Sequence, residues 1–205
     1  MSVAERKAKE KEELRALILE GARKLFIEKG IEQTTIRNIA DAINYSVGTV
    51  YVYFKDKNAI LHALHTQGFM QLGSEMRVLF NVQEPMERLK ALGRVYMKFA
   101  LENRDMYDLM FSLPQPIDFL EASHTEEWNE GKGTFAALQQ TVKDCIDAGY
   151  FKGHSLEALT YMIWSSVHGM CSLYNGGRAK GVNFSQPDKI LEAAYDEMIM
   201  MIDKK

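Results

Sequence analysis

Cysteine is nearly absent from this sequence, with two residues in 205, and proline is scarce at four. Cys145 and Cys171 both fall in apolar helical surroundings, so they read as small buried hydrophobes and exclude a disulfide framework. Few prolines and an ordinary 14 glycines argue against a disordered chain. No apolar run approaches the roughly 20 residues that a membrane-crossing helix needs, so no membrane partner is expected. Also missing are H-E-x-x-H, C-x-x-C, a P-loop and G-x-S-x-G, which removes the common hydrolytic, redox and nucleotide-handling devices. His62 and His65 share a helical face, but no carboxylate or third histidine falls at a spacing that would complete a metal site. The chain is therefore not read as an enzyme, and neither a cofactor nor a metal is expected. The amino terminus, M-S-V-A-E-R-K-A-K-E-K-E-E, is charged throughout and is neither a signal peptide nor an anchor, which predicts a cytoplasmic protein.

What the sequence does contain is helical periodicity from end to end, with no strand pattern, internal repeat or low-complexity tract. Leu14, Leu17, Ile18, Gly21, Ala22, Leu25 and Phe26 form one apolar stripe, predicting a helix over about 9–29 that Gly30 ends. Asp56 is placed to cap a long helix running through Ile60, Leu61 and Leu64 to about Phe80. Pro85 suits the first turn of a helix through Met86, Leu89, Leu92, Val95, Tyr96 and Phe99. A short helix follows over Asp105–Phe111. Pro114 and Pro116 interrupt the pattern over 112–118, and another helix is predicted over about 125–148, closed by Gly149. Two last stripes run through Leu156, Leu159, Ile163, Val167 and Met170, then Ile190, Leu191, Ala194, Tyr195, Met198 and Ile202.

The most specific segment is Thr34–Phe54, T-T-I-R-N-I-A-D-A-I-N-Y-S-V-G-T-V-Y-V-Y-F. It reads as two short helices joined by a tight turn. Thr34 or Thr35 can cap the first, whose Ile36, Ile39, Ala40 and Ile43 recur at helical spacing. Asn44 tolerates the left-handed backbone that a sharp turn needs, and Ser46 can cap the second helix. Val50 and Phe54 would fix that helix to its domain, leaving Val47, Gly48, Thr49, Tyr51 and Tyr53 outward. Glycine inside a helix costs about 1 kcal/mol relative to alanine. Gly48 therefore points to something that approaches the backbone closely.

This segment, followed by K-D-K-x-x-I-L at fixed spacing, resembles the DNA-binding domain of TetR/AcrR-type transcriptional regulators. The usual glycine and small aliphatic residue of the family's turn are replaced here by Asn44 and Tyr45. In the penultimate stripe, W-S-S-V-H-G (Trp164–Gly169) resembles the Trp-His-Gly class of carboxy-terminal domains in the same family. The resemblance implies an all-α fold: a three-helix helix-turn-helix domain over 1–56 and a helical effector-binding and dimerisation domain over 57–205. It implies that Arg37 reaches a base edge or phosphate, that Ser46, Val47, Gly48 and Thr49 lie at the reading end of the recognition helix, and that Thr35, Tyr51, Tyr53 and Lys57 hold phosphates. The partners implied are a double-stranded, palindromic DNA operator, a second copy of the chain, and a small apolar or amphipathic effector that releases the DNA.

Charge distribution fits that polarity. Residues 1–65 carry 11 Lys or Arg against 9 Asp or Glu, and residues 66–205 carry 14 against 19, so the positive end is the helix-turn-helix end. On the effector side, Met70, Phe80, Tyr96, Phe99, Tyr107, Met110, Phe111, Trp128, Phe135 and Trp164 are candidate lining residues, since methionine and aromatics suit a deformable apolar pocket. Ser165, Gly169, Ser172, Leu191, Tyr195 and Met198 are candidate dimer contacts on the last two helices. His168 reads as a hydrogen-bonded core or interface histidine. The alternative is a helical protein-interaction module that has lost DNA binding.

Overall fold

The computed structural model describes residues 2–111 and 129–204. Among them every regular element is helical: α1 (Val3–Lys29), α2 (Ile36–Ala42), α3 (Val47–Tyr53), α4 (Lys57–Arg77), α5 (Pro85–Glu102), α6 (Arg104–Phe111), α7 (Asn129–Asp147), α8 (Leu156–Asn175), α9 (Arg178–Gly181) and α10 (Ile190–Ile202), with 3-10 turns at Val78–Asn81 and Pro187–Lys189. No described helix is long and apolar enough to cross a membrane. The described residues form two compact units, one running to Gly68 and including Asp108–Phe111, the other holding Phe69–Tyr107 and the described residues from Asn129 onward. The first division falls inside α4, twelve residues beyond the 56/57 boundary drawn from the sequence. The proline-interrupted segment 112–118 and Trp128 lie outside the described residues.

In the first unit, α1 begins at Val3 rather than near residue 9, because Ser2 and Glu5 close a capping box: Glu5 N–H donates to Ser2 Oγ at 3.1 Å and Ser2 N–H to Glu5 at 2.7 Å. Reciprocal satisfaction of two orphan donors is enough to start the helix six residues upstream of the start expected near residue 9. That stripe is narrower than expected, since Ile18, Ala22, Leu25 and Phe26 are buried while Leu17 is 42% exposed. Gly21 lets α1 approach α2, because a β-carbon there would stand 2.6 Å from Ile43 Cγ2. Within α4, burial foremost, and His62 beside it, push the pKa of His65 down to about 4.

The second unit is built on long-range contacts. Met86 and Leu89 of α5, Val142 and Cys145 of α7, and Leu159 and Ile163 of α8 form one core with Tyr150 and Phe151. Pro85 occupies the first turn of α5, and Glu84 caps it by accepting from Glu87 N–H at 2.8 Å. Gly149, at φ +93°, closes α7 as predicted. The α4 helix yields to a 3-10 turn after Arg77 instead of continuing to Phe80. Arg88, almost fully buried, is hydrogen-bonded and ion-paired to Asp144, and its guanidinium lies 5.3 Å over the Phe80 ring.

The carboxy-terminal helix turns two residues of the expected dimer set inward. Leu191 and Tyr195 are buried inside their own chain, at 5% and 1% exposure. Tyr195 fits against Gly93, where a β-carbon would stand 2.2 Å from its hydroxyl, and donates to the Lys90 carbonyl at 2.7 Å. Lys90 in turn bridges to Asp203 at 2.7 Å, and its hydrogen bond to that carboxylate holds the ammonium pKa well above its ordinary value. The reason is polarity of the stripe: an apolar residue that finds a glycine-floored slot in its own fold is not available to a neighbour. Met198 is half-buried.

Candidate functional site

The helix-turn-helix segment forms as its caps dictate. Thr35 caps α2, with Asn38 N–H donating to Thr35 Oγ1 at 3.1 Å and Thr35 N–H to Asn38 at 3.0 Å. Thr34, the other candidate, is instead buried, its hydroxyl donating to the Gly30 carbonyl at 2.8 Å. At the far end Asn44 takes φ +57°, while Tyr45 N–H reaches Ala40 O at 3.0 Å and Asn44 N–H reaches Asp41 O at 3.2 Å. Those two bonds are the 6→1 and 5→2 pair of a Schellman turn, so asparagine does the work of the usual glycine. Tyr45 is left 45% exposed.

Ser46 caps α3, accepting from Thr49 N–H at 3.0 Å. Val50 is fully buried and Phe54 nearly so, and Arg15 of α1 lies 5.3 Å over the Phe54 ring. Anchored this way, α3 leaves Gly48 and Tyr51 exposed and Val47, Thr49 and Tyr53 partly buried. Arg37 is exposed on α2. Val52, at 76% exposure, is more open than Tyr51, at 53%. Its aliphatic character gave no signal, because an isolated exposed valine is ordinary.

Lys57 differs from expectation. Its ammonium donates to the Ile31 carbonyl at 2.7 Å, tying the start of α4 to the loop before α2, and the neighbouring cap Asp56 accepts from Ala59 N–H at 2.8 Å. One of its three donors and one free amide of α4 are therefore already used inside the protein.

The effector candidates separate into two groups. Tyr96, Phe99 and Tyr107 are buried, with Phe135 and Trp164 half-buried and 5.8 Å apart edge to face. Tyr107 and Tyr96 hydroxyls lie 2.7 and 3.0 Å from His168 Nδ1. Burial lowers the His168 pKa and so favours the neutral ring, and the two hydroxyl contacts at Nδ1 tie α5, α6 and α8 together. Met70, 62% exposed, and Phe80, 38% exposed under Arg88, stand outside this cluster. Met110 is buried and Phe111 half-buried at the end of α6. Among the described residues no group of three His, Cys, Asp or Glu could hold a metal ion.

Known proteins agree with this geometry at both ends of the chain. Residues 18–64 match the family of bacterial regulatory proteins of the tetR type, and residues 89–198 match the tetracyclin repressor-like carboxy-terminal domain. The HTH-type transcriptional regulator AcrR of Shigella flexneri is 24% identical over 153 residues, covering 71% of this chain and 70% of that one. The repressor KstR2 of Mycolicibacterium smegmatis is 27% identical over 120 residues, covering 54% and 57%. A TetR-family regulator structure from Syntrophomonas wolfei superimposes with TM-score 0.74 at 21% identity, covering 95% of this chain and 97% of that chain. With a formed helix-turn-helix and family matches over residues 18–64 and 89–198, the chain belongs to the TetR family of DNA-binding transcriptional regulators.

Proposed function

We propose that this regulator is a repressor that binds a palindromic operator as a homodimer and is released by a small apolar or amphipathic effector. The observation that carries the DNA-reading assignment is Gly48. A β-carbon there would meet nothing nearer than Ser46 Oγ at 3.7 Å, so nothing inside the protein requires glycine. The requirement lies outside, where a sugar–phosphate or base edge approaches the start of α3. Arg37, Thr35, Ser46, Val47, Thr49, Tyr51, Tyr53 and Lys57 would complete that contact, with Arg37 suited to guanine or phosphate. Being a DNA-binding regulator, it would work in the cytoplasm of a bacterium, where the operator is.

Self-association is supported by the outer faces of α8 and α10. Tyr161, Met162 and Leu173 on α8 and Met200 and Met201 on α10 are all more than half exposed, and Ser165, Gly169 and Ser172 lie among them on α8. A two-fold interface needs one such patch on each copy. The effector reading rests on Tyr96, Tyr107 and Trp164, whose rings lie about His168, with Phe135 edge to face on Trp164 and Phe99 buried on α5. A FadR structure of Bacillus subtilis, fold-related at TM-score 0.69 and 16% identity, was solved in complex with stearoyl-CoA. The Trp164 to Gly169 run supports the Trp-His-Gly class.

Replacing Gly48 with alanine tests the DNA assignment. Thermal stability should hold or rise by up to about 1 kcal/mol, while affinity for operator selected from genomic fragments should fall. Unchanged affinity would return Gly48 to a plain surface position and remove the central support for the reading.

A further inference from the structure

We infer that the first three turns of α1 form a second DNA contact, in which Lys7 and Lys11 hold phosphates of the duplex alongside the recognition helix. The inference rests on the DNA-binding assignment and extends it to a segment outside the helix-turn-helix. From Val3 to Glu13 every residue of α1 is exposed, an overhang of roughly 16 Å at 1.5 Å per residue. Lys7 and Lys11 fall on the heptad line that continues through Leu14, Ile18, Gly21 and Leu25, so they share the face of α1 that packs the domain. Between this overhang and α3 lies an open groove of about 570 Å³, lined by Lys7, Lys11 and Leu14 on one side and Tyr45, Val52 and Tyr53 on the other.

Charge decides what the groove takes. Glu10 and Glu13 also reach it, but they are engaged by Arg6 at 3.4 Å and Lys9 at 3.6 Å through i,i+4 pairs. The two lysines on the groove side have no such carboxylate partner among the described residues, which leaves a local excess of positive charge there. The opposite wall is the recognition helix itself. A helix lying in a major groove about 12 Å wide has a phosphate strand within side-chain reach on each flank, and a four-carbon ammonium stem is suited to meet one as a point charge. Lysines at i and i+4 stand about 5–6 Å apart and would follow one strand. The exposed Val52 and Tyr45 then face sugar rather than bulk water.

The test uses the full-length chain and a fluorescein-labelled mixed-sequence duplex of about three helical turns, roughly 30 base pairs. Affinity is measured by anisotropy across salt from about 50 to 200 mM. Wild type is compared with the Lys7→Ala/Lys11→Ala pair, with Lys7→Arg/Lys11→Arg, and with Lys152→Ala/Lys180→Ala, which removes the same formal charge from exposed positions of the second unit. Loss of two phosphate contacts should reduce the magnitude of the log–log salt slope by about 1.8 per bound chain, so the wild-type advantage shrinks roughly tenfold over that salt range. The arginine pair should retain the wild-type slope and the Lys152/Lys180 pair most of it. Equal losses from the two alanine pairs, or an unchanged slope in Lys7→Ala/Lys11→Ala, overturns the inference while leaving DNA binding in place. A wild-type chain with no salt-dependent duplex binding overturns both. Alanine favours helix at both positions, and circular dichroism checks that α1 remains formed.

Discussion

The two units are held together over different distances along the chain. In the helix-turn-helix, the caps that define α2 and α3 join residues three apart, Thr35 to Asn38 and Ser46 to Thr49. In the second unit the polar ties run between residues 56 apart at Arg88 and Asp144, 61 apart at Tyr107 and His168, and 105 apart at Lys90 and Tyr195. Local ties cost little loop entropy and define element ends, whereas distant ones select one packing of helices that could slide past one another. The same contrast runs through the glycines. A β-carbon at Gly48 would make only an ordinary contact, whereas one at Gly93 would collide with the Tyr195 ring, so packing inside the fold requires the second glycine and not the first.

The contrast is broken most severely at Asp144. Asp144→Ala strands the buried Arg88 guanidinium and should cost about 3 kcal/mol in urea unfolding, near the lower end for a broken buried pair because Asp144 is partly solvated. A cost below about 1 kcal/mol would mean that water reaches Arg88 and that the distant tie is not structural. Gly93→Ala comes next. Its β-carbon must displace a Tyr195 ring fixed by a hydrogen bond, so a loss of about 2 kcal/mol is expected from overpacking and the weakened bond together. Tyr195→Phe removes the hydrogen bond alone and should cost about 1 kcal/mol. If Gly93→Ala proved no worse than Tyr195→Phe, the close approach of α5 and α10 would not be what specifies the α10 register. Thr35→Ala is the mildest, about 1 kcal/mol for a lost cap, read without DNA by thermal melting. A much larger loss there would show that the helix-turn-helix depends on more than local ties.

Legibility followed the same line. Asn44, Ser46 and Asp56 announced their turn and caps because a capping side chain bonds the backbone a few residues away, within the window a sequence displays. The choice between Thr34 and Thr35 was not visible, since it turns on Thr34 being buried against the end of α1. Lys57 looked like a phosphate ligand by position, yet its ammonium also serves the Ile31 carbonyl 26 residues earlier. Leu191 and Tyr195 matched an amphipathic stripe without revealing which body the stripe faces. The groove beneath Lys7 and Lys11 was equally hidden, because the sequence there reads as a solvated run of mixed charge.

The sequence by itself determined the helical class and the helix-turn-helix with its left-handed turn, its Ser46 cap and its Val50 and Phe54 anchors, all set by periodicities and bonds that close within a turn or two of chain. Tertiary structure alone decided that α10 spends Leu191 and Tyr195 on its own α5, that Tyr96, Tyr107 and His168 meet, and that α1 overhangs the recognition helix. Each of those depends on which of several compatible apolar faces come together, and that choice is made by volume and by buried hydrogen bonds between distant residues, quantities that no local pattern encodes.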